Sequence, residues 1–482
     1  MTNEPRVVIV GAGPAGIRAA EVLAAAGIRP VVIDENARWG GQIYRQPPAD
    51  AGFTRTKSTL YGFEAGKADA LHRCMAALLP QIDYRPDALV WSCEPGVLDM
   101  MRAGREARLR WTHLIIASGA TDRISPVPGW TRPGVYTLGG AQVALKSQGC
   151  AIGRRTVLAG TGPLLYLVAY QYARAGAEVA AVLDINPLSR QAAAAPKLLR
   201  QPGTFAKGMF YLGWLRAHGV RVERGVTLDG IDGVGSDADQ DGVAAIRWRS
   251  AGGAVHRLDC DAVGLGFGLR PETQLADLAG CNFTFDTVNR CWLPEKDVAG
   301  RSSVPGVYLA GDGAGIAGAD AAELAGRRAA LALLEDLGAG APRSLAGPAA
   351  AAIDTQLARI RVFRAGLEQA FAPPPPEAAA GWHDDLLVCR CEAVTASTLR
   401  ACIRSGMATE VNRLKALTRI GMGRCQGRMC GESAMALLAA ETGRPLHEVG
   451  RPRGQAPIKP IPISPMLFDD AVQVHEAEAH DE

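Results

Sequence analysis

The sequence contains no run of apolar residues long enough to span a bilayer, about 18 or more, which argues against a transmembrane helix. It also lacks an excess of either charge. With 52 Lys and Arg against 49 Asp and Glu, the net charge is +3 over 482 residues, and no electrostatic case for nucleic acid arises. The first residues, MTNEPR, run straight into the apolar stretch Val7–Val10 and leave no room for a secretory leader. Eleven cysteines form an odd set. Most stand singly, as reduced thiols do, and four are paired. A cytoplasmic location is expected, with at most a peripheral association with the inner membrane.

What is present points to an α/β chain of two to four domains, glycine-rich (56 residues) and with alanine-rich helical stretches. Val7, Val8, Ile9 and Val10 read as a buried parallel strand. It ends in Gly11-Ala12-Gly13-Pro14-Ala15-Gly16, and an alanine-rich helix runs from there to about Gly27. A second apolar run, Val31–Ile33, delivers Asp34. In this pattern Gly11 permits the tight turn, Gly13 lets backbone approach a pyrophosphate, and Gly16 lets helix and strand pack closely. The helix N-terminus offers N–H groups to the phosphates, and Asp34 is placed to accept from a ribose. An ADP-containing ligand follows. Glu35 to Arg45 then carries the paired glycines Gly40-Gly41 and Gln42, where backbone can contact a flavin or its diphosphate. His113 to Ala120 repeats the strand-to-small-residue turn. Val307 to Gly315 contains Gly311-Asp312-Gly313, in which Asp312 can accept from a ribityl hydroxyl and the helix from Ala319 aims its N-terminus at the diphosphate. Together these features shift the ligand from a generic dinucleotide toward FAD.

Thr156 to Leu165 opens a second βαβ unit that ends in Asp184. Its third glycine position is Leu165, whose side chain should push the helix off its strand. Two readings stay open there: an NAD(P)H site, or a retained fold whose groove is empty or repurposed, which is favoured. Residues 187–219 read as helical with an apolar stripe of Phe205, Met209, Phe210, Leu212, Trp214 and Leu215, either core or partner-facing. Ile353 to Phe371 reads as a linker helix, and Pro373–Pro376 breaks the chain before a new domain. From Arg451 to Phe468 the chain is proline-rich and expected to lie extended on a partner's surface.

The paired cysteines are Cys389-Arg-Cys391 and Cys425-Gln-Gly-Arg-Met-Cys430. Short helices are expected from about Thr395 to Ser405, Thr409 to Ile420 and Gly431 to Thr442, the last placing Cys430 at a helix N-terminus that stabilises thiolate. Arg390, Arg424 and Arg428 add positive charge. Four cysteinates suit a [2Fe–2S] cluster or Zn²⁺. Gaps of one and four residues match common zinc spacings poorly, so the cluster is favoured, and compartment disfavours a disulfide. Cys402 falls on an apolar helix face as a core thiol.

GAGPAG, WGGQIYRQP, LAGDG, CRCE and CQGRMC together resemble the flavin and iron–sulfur subunit of the opine oxidase and hydrogen cyanide synthase group. Related multi-subunit proline, D-hydroxyproline and sarcosine-type dehydrogenases belong to the same group. The resemblance covers nearly the whole chain and implies a two-dinucleotide-domain flavoprotein fold with a helical, bacterioferritin-associated-ferredoxin-like [2Fe–2S] domain. The expected division is 1–120 and 276–340 for the FAD domain, 121–275 for the NAD(P)-like domain, 341–382 for a linker, 383–450 for the cluster domain and 451–482 for the tail. The resemblance further implies FAD, ATP or NAD in the first groove and FMN between subunits. It also implies a glycine-oxidase or sarcosine-oxidase-like flavoprotein partner and a small iron–sulfur subunit. Residues 36–60 hold no cysteine, so thiol–disulfide chemistry beside a flavin is not expected. Arg45, Arg123 and Arg270 could each hold a carboxylate, but a surface or cofactor-phosphate role fits them better. No constellation is left for an amino-acid site, and no catalytic residue is assigned.

Overall fold

A computed structural model describes residues 5–49, 51–53, 55–235, 242–338 and 348–462. In chain order the elements that position the site begin with β1 (Val7–Val10), α1 (Pro14–Ala25), β2 (Val31–Ile33), β3 (Asp83–Arg85) and β4 (His113–Ile116). They continue with β5 (Val135–Thr137), α2 (Leu138–Ser147), β6 (Arg155–Thr161), α3 (Pro163–Arg174), β7 (Glu178–Asp184), α4 (Leu188–Leu198), α5 (Pro202–Ala217), β8 (Arg221–Arg224) and β9 (Ala262–Phe267). The chain closes with β10 (Val307–Leu309), α6 (Ala319–Asp336), α7 (Pro348–Ala370), α8 (Ala396–Arg404), α9 (Val411–Thr418) and α10 (Gly431–Thr442).

Two parallel sheets carry the fold. The first has the order β10-β4-β1-β2-β3 and the second β8-β7-β6-β9-β5. The first sheet is closed by a strand from far downstream, so the chain leaves this domain, builds the second and returns. β-branched residues in β1 are buried on both faces, as a covered parallel strand requires. Each sheet is interrupted, before a later strand, by a three-stranded antiparallel meander, at 88–110 and 227–259.

The three C-terminal helices enclose Leu399, Cys402, Ile403, Val411, Leu414, Leu437 and Leu438 in a core continuous with that of the second sheet. Trp130 Nε1 donates to Leu387 O (2.7 Å) and Ser433 Oγ to Ile124 O (3.3 Å), so the module is seated on the second domain. No helix among the described residues is long and apolar enough to cross a membrane.

Two expectations are corrected here. Leu165 is fully buried in a core with Leu138 and Leu158. Space for Leu158 and Leu138 comes from β9, where a Cβ on Gly264 would lie 2.4 Å from Leu158 and one on Gly266 2.8 Å from Leu138. The tail, as far as residue 462, packs on its own chain. Arg451 pairs with Asp277 (2.9 Å), Gly454 N–H donates to the same carboxylate (2.6 Å), and Ile458, 3 % exposed, fills the core beneath the first meander. Residues beyond 462 lie outside the described part. The 205–215 stripe divides: Leu212 and Leu215 are core, while Met209 and Phe210 stay exposed, Phe210 meeting Phe63 edge-on.

Candidate functional site

Three loops converge at the N-terminus of α1. Gly40 N–H donates to Ala12 O (2.9 Å), drawing the 35–42 loop against the fingerprint loop. A Cβ on Gly41 would lie 3.0 Å from Gly13 Cα, and one on Gly311 3.0 Å from Ala15 Cβ. Gly11 has φ +109° and leaves no space for a Cβ, which would meet Ala117 O at 2.3 Å. Gly13 differs: its nearest neighbour for a Cβ is Gly41 Cα at 3.6 Å, so the space above it is an open cradle. Pro14 begins α1 and no side chain caps the helix, which leaves first-turn amides for an anion. These residues fit a dinucleotide diphosphate.

The acidic candidates are engaged differently from one another. Asp34 Oδ2 accepts from Ala12 N–H (2.6 Å), and Oδ1 accepts from the backbone and side-chain amides of Asn36 (both 2.8 Å). Burial pushes its pKa up in spite of these bonds. Asp34 therefore braces the fingerprint loop, where the sequence suggested a ribose contact. Glu35 is exposed and ion-paired with Lys459, and Gln42 Oε1 accepts from Arg45 (2.8 Å). Asp312 Oδ1 accepts from Ala317 and Gly318 N–H (2.8 and 2.9 Å), turning the chain into α6. Its Oδ2 takes no hydrogen bond from a described residue.

The four paired cysteines come together on two loops beside α10. Cys389 and Cys425 each contact Cys430, and Cys391 contacts Cys425. The Cys430 thiol, together with backbone amides of Glu392, Gly421 and Cys391, lowers the pKa of Cys389 to about 6. Cys430 likewise lowers that of Cys425 to about 5, helped by amides of Met429 and Gly427 and by the Cys391 thiol. Cys430 itself is raised by the same two contacts and by burial, and burial raises Cys391. Among the described residues no three His, Cys, Asp or Glu side chains surround a single-ion position. What favours a cluster is four thiols in mutual contact, ringed by amide donors. The loops approach so closely that a Cβ on Gly423 would stand 2.3 Å from Cys391 Cβ. Cys402 is buried on α8 among apolar neighbours, away from this group.

Several residues that sequence alone did not place join the two constellations. Glu272 receives Arg428 Nε at 2.6 Å and Nη2 at 3.1 Å. Ser118 Oγ donates to Glu272 O (2.6 Å), and a Cβ on Gly313 would press on that hydroxyl at 2.6 Å. Gln274 Nε2 donates to Gln426 O (2.6 Å), and Arg270 Nη1 to Gly427 O and Arg428 O (3.2 and 2.9 Å). Residues 270–274 thus touch the Gly311–Gly313 loop on one side and the Cys425–Cys430 loop on the other. Arg270 is therefore no surface charge, and neither is Arg123, which is buried and pairs with Glu432 (2.8 Å). Lys146 on α2 was also missed. It is 2 % exposed, donates to Ile43 O (3.0 Å), and burial with Arg45 nearby pushes its pKa down to about 7. Nothing in an Ala- and Leu-rich helix distinguishes such a lysine in advance.

The pyridine nucleotide-disulphide oxidoreductase family matches residues 5–334. The A subunit of opine oxidase from Agrobacterium tumefaciens (strain Ach5) is 36 % identical over 474 residues, covering 95 % of this chain and 90 % of that one. The chain belongs to the family of the opine oxidase A subunits, within the pyridine nucleotide-disulphide oxidoreductases. Hydrogen cyanide synthase subunit HcnB of Pseudomonas aeruginosa is 35 % identical over 471 residues, covering 95 % of this chain and 97 % of that one. The BFD-like [2Fe-2S] binding domain matches residues 387–440, a span that includes all four paired cysteines. The crystal structure of L-proline dehydrogenase from P. horikoshii shares the fold, with a TM-score of 0.70 and 19 % identity over 95 % of this chain and 78 % of that one. The family thus brings an FAD-type groove and a [2Fe–2S] domain, while all eleven cysteines here are free and none lies within 36–60.

Proposed function

We propose that this subunit carries electrons within a heteromeric amine or amino-acid dehydrogenase or oxidase, and that a flavoprotein partner takes hydride from the CH–NH donor. The opine oxidase A subunit, hydrogen cyanide synthase subunit HcnB and L-proline dehydrogenase are the relatives that support this class. Gly11 to Gly16, Gly41 and Gln42 would hold the adenosine diphosphate part of FAD, with Asp34 and Glu35 shaping that loop, and Gly311 and Asp312 would face its ribityl chain. Cys389, Cys391, Cys425 and Cys430 would ligate the [2Fe–2S] cluster. When bound, the flavin supplies the exchange between two-electron and one-electron steps, and the cluster accepts single electrons.

One observation carries this reading: the 270–274 segment is shared by the Gly311–Gly313 loop and the cysteine loop. A chain that only bound a nucleotide would have no need to brace a cluster loop against its flavin motif. The 930 Å³ cavity bordered by Gly311, Gly315, α6 and α7 is a fitting seat for the FMN expected between subunits. Lys296 and Arg361 open into it, exposed and without an ion-pair partner among the described residues. Exposed Met209, Phe210 and Phe63 offer a face for the partner. Anaerobic addition of the amine to the assembled complex tests the proposal. The cluster should be reduced, as seen by its electron paramagnetic resonance signal, and a cluster that stays oxidised while substrate turns over would refute it.

A further inference from the structure

In a fold of this kind a second dinucleotide lies across the carboxyl ends of β6 and β7, its ribose on the acid that ends β7. That acid, Asp184, is fully buried and its carboxylate is already engaged. Oδ2 accepts from Tyr166 OH (2.7 Å) and Gln191 Nε2 (3.1 Å), and Oδ1 accepts from Asn186 N–H (2.9 Å). Asn186 Nδ2 donates to Thr161 Oγ1 (2.7 Å) in the glycine loop and to Ala372 O (2.9 Å) in the segment leaving α7. Phe371 tilts onto Tyr166 with ring centroids 6.2 Å apart, and Arg290 reaches Pro373 O (3.4 Å). Behind this segment α7 is packed tightly on α4, where a Cβ on Gly366 would lie 2.7 Å from Lys197 Cβ. Ahead of it the chain runs on to Ala379 and Ala380, whose carbonyls accept from Arg400 Nη2 (3.3 and 3.0 Å) on α8.

We propose that Phe371–Pro373 is a built-in occupant of the adenosine end of the second groove. The groove seats the linker that carries the iron–sulfur module, and NADH and NADPH are shut out. A nucleotide entering there would have to displace the Asn186–Ala372 bond and the Phe371 ring. The inference stands apart from the identity of the amine and of the partner subunit, and it removes pyridine nucleotide as a route for electrons into this chain.

The test uses the full chain with flavin and cluster bound. Calorimetric titration with NADH and NADPH to millimolar concentration should show no saturable binding, and stopped-flow mixing should show no flavin bleaching. Micromolar binding that Asn186→Ala weakens, or bleaching by either nucleotide, overturns the proposal. The double variant Asn186→Ala/Phe371→Ala should be cleaved by protease within 371–382 roughly tenfold faster, with flavin and iron contents unchanged. Nucleotide binding gained by that variant alone also supports the proposal. Cleavage at the wild-type rate with nucleotide still excluded contradicts the anchoring role. Should the double variant fail to fold, the wild-type titration decides the matter.

Discussion

Replacing Arg428 by methionine strips Glu272 of its hydrogen-bonded counter-charge and leaves the carboxylate with only Arg270 and Lys459 as neighbouring cations. The pair is well buried, with side-chain exposures of 14 % for Arg428 and 9 % for Glu272, and is bidentate at 2.6 and 3.1 Å. Burial alone would raise the Glu272 carboxyl, but Arg428 together with Arg270 and Lys459 holds the pKa below the usual range. Removing one partner of a buried pair costs about 3–5 kcal/mol, because the other charge is left uncompensated. At about 1.4 kcal/mol per tenfold, this makes opening of the cysteine loop easier by roughly two to three and a half powers of ten. The whole chain does not unfold in two states, so the assay must be local. Hydrogen exchange of the 425–430 amides and the rate of cluster loss to a chelator both read it. The double variant Glu272→Leu/Arg428→Met should recover part of the loss, since an apolar pair avoids the stranded charge but still leaves Cys425 O and Ile458 O without the Arg428 donor. A lowered carboxyl pKa stabilises fully above the unfolded value, about 4.3, and that contribution fades as pH falls through the folded value. The pair's share of loop protection should therefore fade in acid below about pH 4, and the double variant, whose cluster stays acid-labile, should lack only that share. A single variant within about threefold of wild type, or a double variant no better than the single, would refute the reasoning.

Other outcomes follow from the same contacts. Gly13→Val should fill the open cradle and empty the first groove of FAD with the fold intact, checked by flavin release after denaturation; full occupancy would move the site elsewhere. Gly16→Ala should instead disturb the fold, because its Cβ would fall 1.8 Å from Gly11 O, and the thermal midpoint reads this. Cys425→Ser should abolish the about two iron and two labile sulfide expected per chain, and Cys402→Ser should keep them. Ile458→Ala should cost about 2–4 kcal/mol in the packing of the tail, seen as faster proteolysis after residue 450.

The sequence announces those parts of the fold whose causes are local. A β-branched run, a glycine turn and an alanine-rich helix within Val7–Gly27 are enough to write down a strand, a phosphate loop and a helix. The cysteine pairs declare themselves by spacing. Contacts between distant residues leave no such trace. Asp34 meets Ala12 22 residues away, and its neighbour Asn36 completes the set, so its orientation toward the loop is decided by tertiary packing. Glu272 and Arg428 lie 156 residues apart, and Arg428, although inside CQGRMC, carries no sign of its partner, which stands in no motif. The tail has no periodicity, which is why only its extended form was legible; Ile458 gave no sign that it fills a core of its own chain. Leu165 departs from the fingerprint, and the core that buries it draws on distant residues, among them Leu138 and Leu212.

The measurement closest to the central claim compares the isolated protein, with its cofactors confirmed, against the complex co-expressed with its flavoprotein partner. Opines, proline, hydroxyproline, glycine and sarcosine serve as substrates, with an artificial electron acceptor. Turnover confined to the complex, with the isolated protein inactive, is the predicted result. Amine oxidation by the isolated protein at a rate comparable to the complex would contradict it and place the substrate site in this chain.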